Sequence, residues 1–88
     1  MDFRWNGWNR AKVEGHGVTP ADAERVVAGA SSPYPLYRGD GKYLVWGKGA
    51  GGRLLQVVFV IDEDGTIFVI HARPLTPGEK RRLRRRQP

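Results

Sequence analysis

The chain contains no cysteine, which removes disulfides, thiol catalysis and the zinc sets built on thiolates in one step. It has two histidines, His16 and His71, far apart in sequence and without a Cys or carboxylate at ligand spacing beside either. No metal is therefore expected, and no cofactor. No apolar run reaches the length of a membrane span, and Met1-Asp2-Phe3-Arg4-Trp5 lacks the basic-then-apolar order of a secretory leader. The expectation is a cytoplasmic protein with no membrane contact. Acidic residues are scarce beside basic ones, Asp+Glu 9 against Lys+Arg 15, for a net charge of +6. Much of that excess sits in Lys80-Arg81-Arg82 and Arg84-Arg85-Arg86. Such a balance favours RNA, DNA or an acidic protein surface as partner, while a solvated terminal run stays equally open.

With 88 residues there is room for one domain, 1–88, and no second core. A domain of this size buries only about 60% of its unfolded surface, so its stability margin is thin and a bound partner would add to it.

The punctuation along the chain is clear. Residues 3–5 read as a short strand, Asn6-Gly7 as a turn, and 8–14 as two helical turns stopped by Gly15 or Gly17. Thr19 caps a second helix, with Pro20 at the first helical position and Asp22 three residues after the cap. Ala23, Val26, Val27 and Ala30 recur at helical spacing, which predicts a helix over 20–28. Pro33 and Pro35 make 30–35 a loop. Three strand-like runs follow, 42–46, 53–61 and 66–72, joined by the hairpin connections 47–52 and 62–65. The run 54–61 is apolar on both faces, as a central strand covered on both sides would be. Helices can cover one side; the other layer has to come from elsewhere, another chain included. Thr76-Pro77-Gly78-Glu79 has the order of a capping box, so a short basic helix or tail occupies 77–88. The predicted fold is α+β: a small antiparallel sheet of three to four strands, two N-terminal helices and a short basic C-terminal helix.

Several residues carry chemistry. Strand periodicity puts Ile67, Val69, His71 and Arg73 on one face and Phe68, Ile70 and Ala72 on the other. Metal-free RNA cleavage needs a base for the 2′-hydroxyl, an acid for the leaving oxygen and cations for the phosphorane-like transition state. His71 beside Arg73 supplies part of that set; a strand-end arginine beside a backbone-satisfied histidine is the plainer alternative. Asn9, Lys12 and His16 fall at i, i+3 and i+7 of the first helix, a row suited to a phosphate or a base, or simply an exposed polar face. Lys48 and Arg53 flank the glycine-rich connection, where backbone can approach a phosphate or form a plain hairpin. Trp8, four residues before Lys12, is the tryptophan expected to be exposed for stacking on a base, with Trp5 and Trp46 in the core. Lys80 and Arg81 complete the candidate RNA contacts.

Taken in order, Phe3-x-Trp5, Asn9-x-x-Lys12-x-x-x-His16-Gly17-Val18, Gly52-Arg53-x-Leu55-x-Val57-Val58-Phe59 and Ile70-His71-Ala72-Arg73-Pro74-x-Thr76-x-x-Glu79 resemble the BrnT family of toxins from type II toxin–antitoxin pairs. The resemblance implies a RelE-like fold, ribonuclease activity that arrests translation, and neutralisation by a ribbon-helix-helix antitoxin through which alone DNA is met. Carried onto matching positions, it points to Lys12, His16, Arg53 and Arg73 as functional residues. Glu79 matches too, with a capping duty as its first expectation. Asn6, Leu83 and His71 stand where the family often has aspartate, tyrosine and serine.

Two functions are carried forward. One is an endoribonuclease in which Arg53 and Arg73 stabilise charge and His71 or His16 moves protons. The other is a non-catalytic basic module for nucleic acid or protein on the same fold. The first requires His16, Arg53, His71 and Arg73 to converge on one side of the sheet.

Overall fold

The computed structural model describes residues 1–86. Its elements in chain order are β1 (Phe3–Arg4), α1 (Gly7–Glu14), α2 (Pro20–Ala28), β2 (Leu36–Tyr37), β3 (Tyr43–Lys48), β4 (Leu54–Ile61), β5 (Ile67–Pro74) and α3 (Pro77–Arg86). The arrangement is α+β. Gln87 and Pro88, the end of the expected basic segment, lie outside the described residues.

The helices begin where side chains satisfy the first free backbone amides. Thr19 Oγ1 accepts the Asp22 amide at 3.0 Å, and the Asp22 carboxylate accepts the Thr19 amide at 3.2 Å. At α1 the same reciprocal box is built by Asn6 and Asn9, with bonds of 3.1 and 2.7 Å. Asn6, read from sequence as a turn residue, is therefore the cap of α1, and the helix starts at Gly7 rather than at residue 8.

The strand order is β1-β5-β4-β3-β2. The β3–β4 and β4–β5 hairpins are antiparallel, as their short connections require. Two expectations are corrected. The sheet has five strands rather than three or four, and it is mixed, because β1 runs parallel to β5 with Phe3 opposite Ile67 and Arg4 opposite Phe68. Strands of two residues leave no periodicity to read, and a parallel partner at the far end of the chain has no local signal.

Burial alternates along the central strands. Leu55, Val57 and Phe59 of β4 are buried together with Val45 of β3 and Ile67, Val69 and Ala72 of β5. Against this face α2 packs on β3 and β4, and α1 packs on β5, contributing Val13, Ala23, Val26 and Val27 to one core. On the opposite face α3 crosses one end only. Glu79 meets Arg73 on β5, the Arg82 guanidinium lies 5.4 Å from the Trp46 ring centre on β3, and Leu83 is buried.

A bulge in β5 changes which side chains share a face. Ile67 pairs with Ile61 and Val69 with Phe59, but Val58 then pairs with His71, leaving Ile70 as an extra residue. An inserted residue re-aims everything beyond it. The expectation that Ile67, Val69, His71 and Arg73 lie together fails at this point. Ala72 joins Ile67 and Val69 in the core, while His71 and Arg73 turn to the opposite face with Phe68.

Candidate active site

Helix α1 lies alongside β5 and presents Trp8 and Lys12 one turn apart, followed by His16 in the turn beyond Gly15. Trp8 is 55% exposed and lies parallel to Phe68, ring centres 6.1 Å apart. The Lys12 ammonium stands 5.4 Å from the Trp8 ring centre. Next in line, the His16 and His71 rings meet edge to face with centres 5.3 Å apart. Two imidazoles from distant segments are thus brought together, flanked by Lys12. Trp8 is the exposed tryptophan, whereas the indoles of Trp5 and Trp46 donate to Glu24 and Gln56 at 2.8 and 3.0 Å.

Asn9 does not join this row. It is fully buried beside Val13, its oxygen holds the Asn6 amide, and its NH2 donates to the Arg4 carbonyl at 3.1 Å. The expectation of Asn9 as an RNA contact is corrected for that reason: its amide is part of the α1 cap.

His71 is half-buried, and removal from water is the main force pushing its imidazolium below the ordinary histidine value. The positive charges of His16, Arg73 and Lys12 push the same way. At neutral pH the ring is neutral and can accept a proton.

Arg73, its neighbour on the same face, is clamped. Its guanidinium donates to both Glu79 oxygens at 2.7 and 2.8 Å and to Gln56 Oε1 at 3.3 Å. Glu79 also accepts the Thr76 amide at 2.9 Å, and its own amide donates to Thr76 Oγ1 at 3.2 Å, so the expected capping box is present. The Arg73 hydrogen bonds, with the Thr76 amide, lower the Glu79 carboxyl to about 2. Arg73 thus fastens α3 to the sheet while adding positive charge beside His71.

Arg53 is also paired. It donates to the Gly17 carbonyl and lies 3.6 Å from Asp22 Oδ2. Asp22 is buried and accepts the Gly51 amide at 2.9 Å, the bond that does most to hold its carboxyl below the usual range. The glycine-rich connection therefore carries an internal carboxylate where a phosphate was considered. Gly49 is required there by packing, because a Cβ would fall 2.7 Å from Leu55 Cδ1 and 3.1 Å from Asp22 Oδ1. Arg53 is a positioning residue for the turn that carries His16, not a free cation.

The structure thus gathers Lys12, His16, His71 and Arg73, and attaches Arg53 one residue away through Gly17. Lys48 is separate, lining with Arg84, Gly52, Leu54 and Leu83 a cleft of about 430 Å³. Lys80 and Arg81 follow Glu79 on α3, the first half-buried and the second exposed. Sequence reasoning missed Phe68, which looked like one more apolar strand residue, and the second duty of Asp22, hidden behind its capping position.

Among the described residues, no three of His, Cys, Asp and Glu gather as a metal-binding group. No helix among them is long and apolar enough to cross a membrane. Set against known proteins, the chain matches no family model, no curated protein and no solved structure.

Proposed function

We propose that this chain is an endoribonuclease that cleaves RNA by transfer to the neighbouring 2′-hydroxyl, acting as the toxin of a type II toxin–antitoxin pair in the cytoplasm. The observation that carries the reading is the His16–His71 pair, two imidazoles 5.3 Å apart with Lys12 alongside. Neutral His71 takes the 2′-hydroxyl proton as O2′ attacks phosphorus. The bond from phosphorus to O5′ breaks, and His16 in its protonated form gives a proton to the leaving oxygen. The products are a 2′,3′-cyclic phosphate and a 5′-hydroxyl, with no further reactant. Lys12 faces the charge that builds on the non-bridging oxygens, and Arg73 adds to the field from its clamped position. Trp8 offers an exposed indole for an unpaired base next to Lys12. The toxin role and the ribbon-helix-helix antitoxin come from the BrnT resemblance.

The test uses an RNA oligonucleotide and its DNA counterpart in the presence of a chelator. The expected result is cleavage of RNA to a cyclic phosphate, intact DNA, and loss of cleavage in folded His71→Ala. No cleavage at any concentration of folded protein, or cleavage indifferent to both histidines, overturns the reading. Growth arrest on induced expression, relieved by an antitoxin encoded next to it, is the matching cellular outcome.

One observation favours a second reading, a non-catalytic basic module. Arg53 and Arg73 are both neutralised internally, while Arg81, Arg84 and Arg85 of α3 are exposed. That reading predicts salt-dependent RNA binding that falls when these three become Gln, with no cleavage.

A further inference from the structure

Away from the histidine pair, a cleft of about 430 Å³ opens between α3 and the β3–β4 hairpin, and none of its described lining residues belongs to the histidine cluster. Leu54 and Leu83 give it apolar walls, while Lys48 and Arg84 line it with exposed cationic side chains. Unlike Arg53 and Arg73, these two form no ion pair among the described residues. Gly52 presents bare backbone beside them. Its φ is +89° and a Cβ there would meet nothing within 4 Å, so an anion can approach the chain closely.

The cleft continues beyond Lys48. Gly47, Lys48 and Leu83 also line a neighbouring hollow of about 140 Å³, whose far side is made by Ser31, Ser32, Tyr34 and Trp46. Both serines are exposed, and the rings of Tyr34 and Trp46 lie 6.3 Å apart, inclined by 31°. One end of the combined groove is therefore cationic, and the other offers hydroxyls and aromatic surface.

This order of groups narrows the ligand. An inorganic anion would engage Lys48 and Arg84 and leave the aromatic end unused. An apolar ligand would leave the two cations without counter-charge. A molecule with a phosphate at one end, hydroxyls in its middle and a flat ring at the other matches the whole groove. The size agrees, since 430 Å³ falls within the roughly 300–1,000 Å³ of small-molecule sites. Bound anionic charge would also relieve α3, where Arg84 stands at neighbour spacing from Lys80 and Arg81 and like charges oppose the helix.

We infer that this groove is a binding site for a nucleoside phosphate, with the phosphate held by Lys48 and Arg84 beside Gly52 and the ring toward Tyr34 and Trp46. The ligand is a free nucleotide or one nucleotide of an RNA strand, and the chemistry that recognises it is the same for both. The inference is independent of the ribonuclease reading, because no group of the histidine cluster takes part.

Titration of the full, isotope-labelled chain with adenosine 5′-monophosphate tests the site, read by amide chemical shifts and calorimetry. The expected result is saturable binding with shifts at Ser31, Ser32, Lys48 and Gly52 and a raised Tm. Adenosine and inorganic phosphate should each bind at least about tenfold more weakly than the nucleotide. Lys48→Gln with Arg84→Gln, which alters exposed side chains only, should weaken the nucleotide at least about tenfold in a protein that stays folded. No binding of the nucleotide, or affinity unchanged in the double variant, overturns the inference. So does inorganic phosphate or polyglutamate binding as tightly as the nucleotide, or a shift pattern centred on Lys12, His16 and His71. An RNA oligomer 2′-O-methylated throughout, which cannot be cleaved, separates the two sources. Displacement of the nucleotide by the oligomer assigns the groove to a strand, whereas Lys48 and Gly52 amides that ignore the oligomer assign it to a free nucleotide; the site stands in both cases. Nucleotide binding by a protein that cleaves no RNA keeps this site and removes the nuclease. Cleavage without nucleotide binding does the reverse.

Discussion

Arg53 and Arg73 each come with a carboxylate of their own, whereas among the described residues His16, His71 and Lys12 come with none. The difference separates two uses of positive charge. A guanidinium held by an internal carboxylate is a fastener, because an incoming phosphate must compete with a partner already aligned. Arg53 fastens the α1–α2 turn through Gly17, and Arg73 fastens α3 through Glu79. An imidazole pair without a carboxylate keeps its lone pair and proton available for a substrate. From residue type alone all five cationic or imidazole groups looked alike; their partners sort them.

The largest effect expected from this contrast is on cleavage. His71→Ala or His16→Ala should lower the rate by roughly 10²–10⁴, the range for losing a general acid or base, with thermal unfolding unchanged. Arg53→Ala should cost less activity than either, and a larger loss there would break the distinction between fastener and reactant. Stability should show the opposite order. Asp22→Ala removes the acceptor of the Gly51 and Thr19 amides and should cost about 1–3 kcal/mol in urea unfolding. Gly49→Ala, which drives a Cβ into Leu55 and Asp22, should cost a similar amount, about 1–3 kcal/mol.

Glu79→Gln should be milder, about 1 kcal/mol, because the Arg73 side chain is 30% exposed. Its signature is the pH dependence. The Glu79 carboxyl lies at about 2 in the folded protein against 4.5 ordinarily. As pH falls from 4.5 toward 2, the unfolded chain therefore takes up the proton first and the clamp's contribution is lost. Asp22 acts in the same direction. Acid unfolding of Glu79→Gln should be correspondingly shallower over that window. The smallest effect concerns His71 in its proposed role as base. Its value is lowered from 6.5, so the acid limb of the pH–rate profile should fall below pH 6.5, and Lys12→Met should move it slightly upward.

Much of the scaffold was legible because its signals are local. The Thr19–Asp22 and Thr76–Glu79 boxes, the helix over 20–28, the three long strands and the exposure of Trp8 all follow from residues within a turn or a strand of one another. The site was legible only in part. Lys12, His16, His71 and Arg73 are brought close together, but Asn9 proved to be a cap and Arg53 a tie, since neither duty shows until the partner is in place. The face assignment along β5 failed for a related reason: a bulge of one residue is specified by pairing with β4, not by the composition of β5.

By itself the sequence determined the inventory. It set an α+β chain without thiols, with an excess of positive charge, caps that start two of its helices and a central strand too apolar for a surface. Tertiary structure decided which of these groups lie together and which are held by a carboxylate. Long-range pairing placed β1 beside β5, turned His71 out of the core toward His16, and supplied carboxylates to Arg53 and Arg73 while, among the described residues, leaving Lys12 without one. The physical reason is one of range. Caps and turns are fixed by hydrogen bonds between near neighbours, whereas the availability of a charge depends on whatever the fold brings within a few ångströms of it.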